Sequence, residues 1–402
     1  MKKQVVFYSS VAPYVMIYKI SKEFKKNGYE TILCTMSEKD KFDFNFYKDA
    51  FDKILCSNFQ FYKPNLIKTP IYILKRGFSL IRFIFLMKLL KPYVWFGIGR
   101  TNWQIKFTHK YLFKKYPFIY FPYDIQSHLT TRKEAIEKGM RLFEIESEKY
   151  CFEKADGIMH KGDPKELNSL DGRIFDKVIL PKNIINFYPY CSKDFMVRFN
   201  KTKLSDKDKE IHLVYIGGIT HGEVSMEIVS NLIREILRQK IHIHLYCKTQ
   251  HLSREESYMG AISSLNSFLG NKYFHLHNSL GPKEIISEIS KYDFGLWFHD
   301  LHKDKHSLDL KFSTGNKLSS YLEAGIPFIY EKRLKFIDKI MKFHGLNIEY
   351  NSKSIKNIRK KLNSLNYKKL ISNVSNMRDN FCMEKNFPRL EKFVKKIVSL
   401  KK

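Results

Sequence analysis

Short runs rich in β-branched and aromatic residues alternate with helix-period segments along this chain, and the alternation stops once and then restarts. In the first stretch the strand-like runs are Gln4–Tyr8, Glu30–Cys34, Lys53–Cys56, Tyr93–Ile98, Phe118–Phe121, Gly157–His160 and Lys177–Leu180. Helical periods fall between them near Tyr14–Asn27, Tyr72–Leu90, Trp103–Lys115 and Arg132–Lys154. Strands separated by helices imply parallel sheets covered by helices. From Lys182 to Glu210 the periodicity fails, with Asn183, Asn186 and Pro189 followed by the charged run Asn200–Glu210, and this places a domain boundary there. The alternation then resumes, with strands expected at Ile211–Ile216, Ile241–Cys247, Tyr273–His277, Phe294–Phe298, Pro327–Tyr330 and Asn347–Tyr350. A chain of 402 residues exceeds one ordinary core, so two α/β domains are expected, 1–190 and 205–385, with a basic helix at 386–402.

Composition narrows the setting. Hydrophobic residues make up 44% of the chain, with 33 Phe and 24 Tyr, which is ample for two cores. The six cysteines are scattered with no C-x-x-C pair, so a reducing, cytoplasmic setting is expected. The net charge of +30 is unevenly spread: residues 60–100 hold eight Lys or Arg and no acid, and residues 351–402 hold fifteen against three acids. Such a surface seeks an anionic partner, a membrane leaflet or a phosphorylated substrate. Nucleic acid is a weaker reading, because no zinc-finger spacing, RNP-like motif or basic zipper is present. The segment Gly77–Leu90 is apolar but short of the ~20 residues a spanning helix needs, and it carries Arg82 and Lys88. The longer stretch Tyr72–Leu90 reads as a core helix whose basic and aromatic remainder suits a lipid interface, with the inner face of the cytoplasmic membrane as the expected location.

The segment richest in chemistry is Asn316-Lys317-Leu318-Ser319-Ser320-Tyr321-Leu322-Glu323-Ala324-Gly325-Ile326-Pro327. It reads as a short helix that follows a polar loop, stops at Gly325 and feeds into a strand. A helix N-terminus presents N–H groups and partial positive charge, a ready site for a diphosphate. The run His212-Leu213-Val214-Tyr215-Ile216-Gly217-Gly218 is a strand closing on paired glycines, which let backbone approach a phosphate. Phe274–His277, Leu280-Gly281-Pro282, Tyr292-Asp293-Phe294, and in the first half Ala155-Asp156-Gly157 and Val178–Asn183, complete an ordered set.

In that order these segments resemble the family 4 glycosyltransferases and their GT-B relatives, and the likeness runs through nearly the whole chain. The resemblance implies an α/β GT-B fold, two Rossmann-like domains whose parallel sheets face a cleft, with the last helix crossing back to the N-terminal domain. It also implies a nucleotide-sugar donor held by Gly217, Gly218, Asn316, Lys317 and Leu318, and a glycan or lipid-linked acceptor in cell-surface polysaccharide synthesis. Retention of configuration is expected, without metal or cofactor. The relatives' paired glutamates, eight residues apart, are replaced here by Phe312 and Ser320, and the second normally holds the donor ribose; Glu323, three residues along, is the candidate substitute. This departure motivates a second reading, a GT-B-shaped binding protein without activity.

Residue chemistry adds the remaining candidates. Lys317 and Lys248 are cations suited to the charge that grows on a departing nucleotide. Asp124 and His128, in the loop after the fifth strand, are acceptor-side proton carriers. His299–His306 is dense in metal-ligand types but is expected to be a loop beside the phosphates.

Overall fold

The computed structural model describes residues 2–401 apart from 10–13, 38–43, 58–69, 100, 126, 128–132, 134–135, 137–141, 169, 171–176, 200–201, 219–225, 248–264 and 299–310. The chain divides into two compact units: Met1–Tyr188 with Asn386–Lys402, and Pro189–Lys385.

Unit 1 is built on seven parallel strands, β1 (Gln4–Ser9), β2 (Glu30–Thr35), β3 (Lys53–Cys56), β4 (Pro92–Gly99), β5 (Phe118–Pro122), β6 (Gly157–His160) and β7 (Ile184–Asn186), in the order β3-β2-β1-β4-β5-β6-β7. Central strands are buried on both faces, so β1, β4 and β5 are near-continuous apolar runs. Unit 2 repeats the plan with β8 (His212–Ile216), β9 (His242–Cys247), β10 (Phe274–Asn278), β11 (Phe294–Trp297), β12 (Phe328–Glu331) and β13 (Glu349–Tyr350), ordered β10-β9-β8-β11-β12-β13. In both sheets the first strand of the unit is central and the order reverses beside it, the arrangement that opens a binding crevice at the strands' carboxyl ends.

Two of the sequence landmarks have structural duties. Asp156 Oδ2 accepts from the Phe118 amide at 2.8 Å, and Asp293 Oδ2 accepts from the His212 amide at 2.8 Å. Each carboxylate pins the start of the neighbouring strand in register. Asp293 also takes the Ser205 hydroxyl, and its burial raises its pKa.

The last helix, Met383–Lys401, leaves unit 2 at Lys385 and packs on unit 1 through Phe387, Leu390, Val394 and Ile397. Its seat is fitted to glycine: a Cβ on Gly157 would lie 2.8 Å from both Ile397 and Phe393. Tyr29 donates to Glu391 at 2.8 Å and Lys401 pairs with Asp156 at 2.9 Å. The pooling of charge is smaller than the sequence suggests, since only the lysines and arginines from Arg389 onward join unit 1. Those from Lys353 to Lys385 stay in unit 2.

The seventh strand is a second correction. Lys177–Leu180 makes no ladder; Ile184–Asn186 pairs with β6 instead. Three residues between Asn183 and Pro189 are too few to show a period. Trp103–Lys115 is also not one α-helix: Asn102–Thr108 is α and His109–Phe113 widens into a π turn.

Candidate functional site

The helix Asn316–Glu323 is placed by one tyrosine and one glycine. Tyr321 is fully buried and its hydroxyl donates to the carbonyls of Leu296 at 2.7 Å and Val214 at 3.2 Å, spanning β11 and β8. That approach requires Gly295, where a Cβ would meet the Tyr321 ring at 2.6 Å. The helix closes with a Schellman pattern: Ile326 N–H donates to Tyr321 O and Gly325 N–H to Leu322 O, with Gly325 at φ +71°. Gly315 at the N-cap contributes no side-chain cap to the first-turn amides. It packs on Trp297, whose ring would lie 3.3 Å from a Cβ there.

Docked this way, the helix delivers Lys317 to the carboxyl end of β8. Its ammonium lies 4.8 Å from the Tyr215 ring centroid and 3.2 Å from where a Cβ on Gly217 would stand. Gly217 has φ +120°, a conformation that L side chains rarely adopt, and its amide donates to Tyr246 O at 3.1 Å. Tyr215 donates to Gly218 O at 3.0 Å and stacks on Phe298. Burial pushes the Cys247 thiol, at the end of β9, up to about 12, with the charge of Lys317 opposing it. The glycine turn, the lysine and the helix N-terminus therefore form one corner. Phe298 also lines a cavity of about 590 Å³ with Glu331, Arg333, Tyr350 and Lys353, so that space shares a wall with the corner.

The other expected donor contacts separate. Asn316 and Ser320 are half-buried on the same helix, and Leu318 is buried beneath it. Glu323 is 1% exposed and its Oε1 accepts from the Ser192 amide at 2.7 Å. Its carboxylate fastens the segment entering unit 2: although 320 and 323 are neighbours on the helix, Ser320 is half-buried whereas Glu323 is buried and engaged by that amide, not held open as the expected substitute for a ribose-binding glutamate. Lys248 and the whole of His299–His306 lie outside the described residues.

In unit 1, Asp124 follows β5 and pairs with Lys161 at 3.2 Å; the carboxylate is 44% exposed and the lysine side chain 8%. Lys161 sits 3.8 Å over the Tyr123 ring, which stacks on Tyr14. Behind it, His160 Nε2 meets Glu166 Oε2 at 2.8 Å, both buried. His128 lies outside the described residues. Tyr215, Tyr321 and Lys161, the partner of Asp124, were not singled out as site residues in the sequence; of these Tyr215, two positions before the glycines, carried a local signal.

Comparisons with known proteins bear on the fold and on unit 2. Residues 246–386 match the family profile described as Glucosyltransferase 3-like, C-terminal domain. A search of the curated proteins finds no sequence match. Among solved structures, the chain is similar to sucrose-phosphate synthase from Thermosynechococcus elongatus, at TM-score 0.67 and 9% identity over 99% of this chain and 100% of that one. It is similar to Anabaena HepE in complex with UDP-glucose, at TM-score 0.64 and 9% identity over 98% and 99%. A glycosyltransferase from Rickettsia africae gives TM-score 0.59 and 9% identity over 99% of both chains. The fold is therefore that of the GT-B glycosyltransferases, and the greater part of unit 2 is similar to a glucosyltransferase's C-terminal domain.

Proposed function

We propose that this chain is a glycosyltransferase that moves a sugar from a nucleotide-sugar donor, bound in unit 2, to a glycan or lipid-linked acceptor of the cell surface. The observation that carries the reading is the corner at the end of β8, where Lys317, the Gly217 turn and a helix N-terminus converge. A lysine ammonium and a helix N-terminus beside a backbone turn that carries no side chain suit a diphosphate that gains charge as the glycosidic bond breaks. Retention of configuration, with no metal in the chemistry, fits a leaving diphosphate that is neutralised by protein groups. Asp124, on the acceptor-side loops of unit 1, is the proposed partner of the acceptor hydroxyl. A thermal-shift screen of nucleotides followed by transfer assays tests this, with UDP-sugars first because HepE was solved with UDP-glucose. Stabilisation by a nucleoside diphosphate together with sugar transfer is the expected result. Binding without transfer would favour an inactive GT-B binding protein, the reading that Ser320 motivates.

The membrane part of the proposal rests on the helix Pro70–Lys88. Its inner face sends Leu80, Phe83 and Met87 into the unit 1 core, while Phe78, Ile81 and Phe85 stand 59–73% exposed beside exposed Arg82 and Lys88. An apolar face rimmed by cations is what an interfacial helix presents to an anionic leaflet. An apolar cavity of about 170 Å³ under the same helix, between Tyr8, Met87, Trp103 and Phe107, suits the first part of an acyl or prenyl chain. Among the described residues no helix is long and apolar enough to cross a membrane. Changing Phe78, Ile81 and Phe85 together to serine is expected to reduce binding to vesicles containing phosphatidylglycerol at least tenfold, with transfer to a soluble acceptor retained. Unchanged vesicle binding would contradict this placement.

A further inference from the structure

Five histidines line one face of the unit 2 sheet at its β8–β9–β10 side, and nothing in the proposed transfer reaction uses them. They stand at alternate positions on neighbouring strands: His212 on β8, His242 and His244 on β9, His275 and His277 on β10. Parallel register aligns them, pairing His212 with His242 and His244 with His275. The rings form two stacked tiers, His212 over His242 at 4.3 Å and His244 over His275 at 4.2 Å between centroids.

We propose that His212, His242 and His244 form a binding site for a divalent transition metal such as Zn²⁺. Ring nitrogens of the three lie within 4.8 Å of one another, and His212 Nδ1 faces His244 Nε2 at 3.0 Å. Tetrahedral Zn²⁺ with bonds of ~2.0–2.1 Å separates its nitrogen ligands by about 3.3 Å, so the set reaches bonding geometry when the stacked His212 and His242 rings turn to aim a nitrogen each at a common point. Two histidines at i and i+2 on one strand and a third across on the next converge on one side of a sheet, because the side-chain period of a strand is two.

The outer contacts are already those of a metal centre, in which each ligand's second ring nitrogen is held by another group. His212 Nε2 meets Asp208 Oδ2 at 2.9 Å, and His244 Nδ1 meets His277 Nε2 at 3.0 Å. His242 has a partner on either side, His275 Nε2 at 2.9 Å from its Nδ1 and Asp208 Oδ2 at 3.8 Å from its Nε2. His242 Nε2 can thus face the metal while Nδ1 stays hydrogen-bonded to His275. Three imidazoles leave a fourth position for water, and Asp208, the outer partner of His212, is 42% exposed and so opens that side to solvent. Imidazole sets of this kind suit Zn²⁺, Ni²⁺, Co²⁺ and Cu²⁺ better than Mg²⁺ or Ca²⁺.

The site lies at the amino ends of β8 and β9. Gly217 is five residues further along, roughly 16 Å away at the usual rise per strand residue. The metal therefore acts on unit 2 as a fastener of two neighbouring strands, β8 and β9, not on the reacting sugar. This inference is independent of the transferase reading, and its readouts are binding and stability alone.

The test uses the full chain, freed of metal by a chelator and titrated with Zn²⁺ against a chromogenic competitor, and with Co²⁺ by visible absorption. We expect one equivalent bound tightly, a Co²⁺ spectrum of low coordination number, and a higher unfolding midpoint with metal. His244→Gln is expected to weaken this binding at least 100-fold. The pair His302→Ala/His306→Ala, in the other histidine-rich stretch, is expected to leave it unchanged. If His244→Gln fails to fold, His242→Asn at the more open position is expected to weaken binding at least tenfold. A wild-type chain that takes up no stoichiometric metal, or an equivalent that survives both the His244 and the His242 substitutions, would overturn the proposal.

Discussion

Lys317→Ala is expected to lower kcat/KM with the nucleotide-sugar donor by about 10²–10³-fold, the usual cost of removing one group that stabilises charge growing in a transition state. The physical basis is the position of the ammonium, fixed over Tyr215 and against Gly217 at the end of β8. Its charge is already in place when the diphosphate leaves, so little reorganisation is needed at that moment. Affinity for the nucleoside diphosphate should fall too, since that product carries the same charge. Lys317→Arg keeps a cation but not its size, and is expected to recover part of the rate. Steady-state kinetics and calorimetric titration with the diphosphate check both variants. Equal kcat/KM and equal affinity in Lys317→Ala would remove this lysine from the site.

Gly295→Ala is expected to destabilise unit 2 by about 1–3 kcal/mol, the range for forcing an extra methyl into a packed interior. The added carbon would stand 2.6 Å from the Tyr321 ring. That ring cannot retreat without losing its hydroxyl bonds to Leu296 O and Val214 O, and the helix Asn316–Glu323 moves with it. Diphosphate affinity should therefore fall along with the denaturant midpoint, although residue 295 is buried in mid-sheet. Adding Tyr321→Leu should recover part of the stability and little of the affinity. A Gly295→Ala protein with unchanged midpoint and affinity would show that the tyrosine does not set the helix.

The elements legible in the sequence are those whose cause is local. The helix 316–323 and its stop could be read because Gly325 terminates it through a left-handed residue and Pro327 follows. Most strands could be read because a parallel sheet buries them whole. What could not be read depends on register or on direction. The clash that demands glycine at 295 is with a ring 26 positions later. Glu323 looked like a ligand-facing acid, yet the fold buries it and gives its carboxylate to the Ser192 amide, a partner 131 positions away in the chain. The paired spacings His242–His244 and His275–His277 are visible in the chain, but their alignment with His212 follows only from strand order. The helix Pro70–Lys88 reads as apolar almost all round, and only its packing divides it into a buried face and an exposed one.

Amide hydrogen exchange on the full chain, with and without a saturating nucleoside diphosphate, reports most directly where the pyrophosphate binds. Slowed exchange concentrated at Gly217, Gly218 and the first turn Asn316–Leu318 is the predicted result. Measurable binding that leaves those amides unaffected and protects a different part of the chain would contradict the assignment.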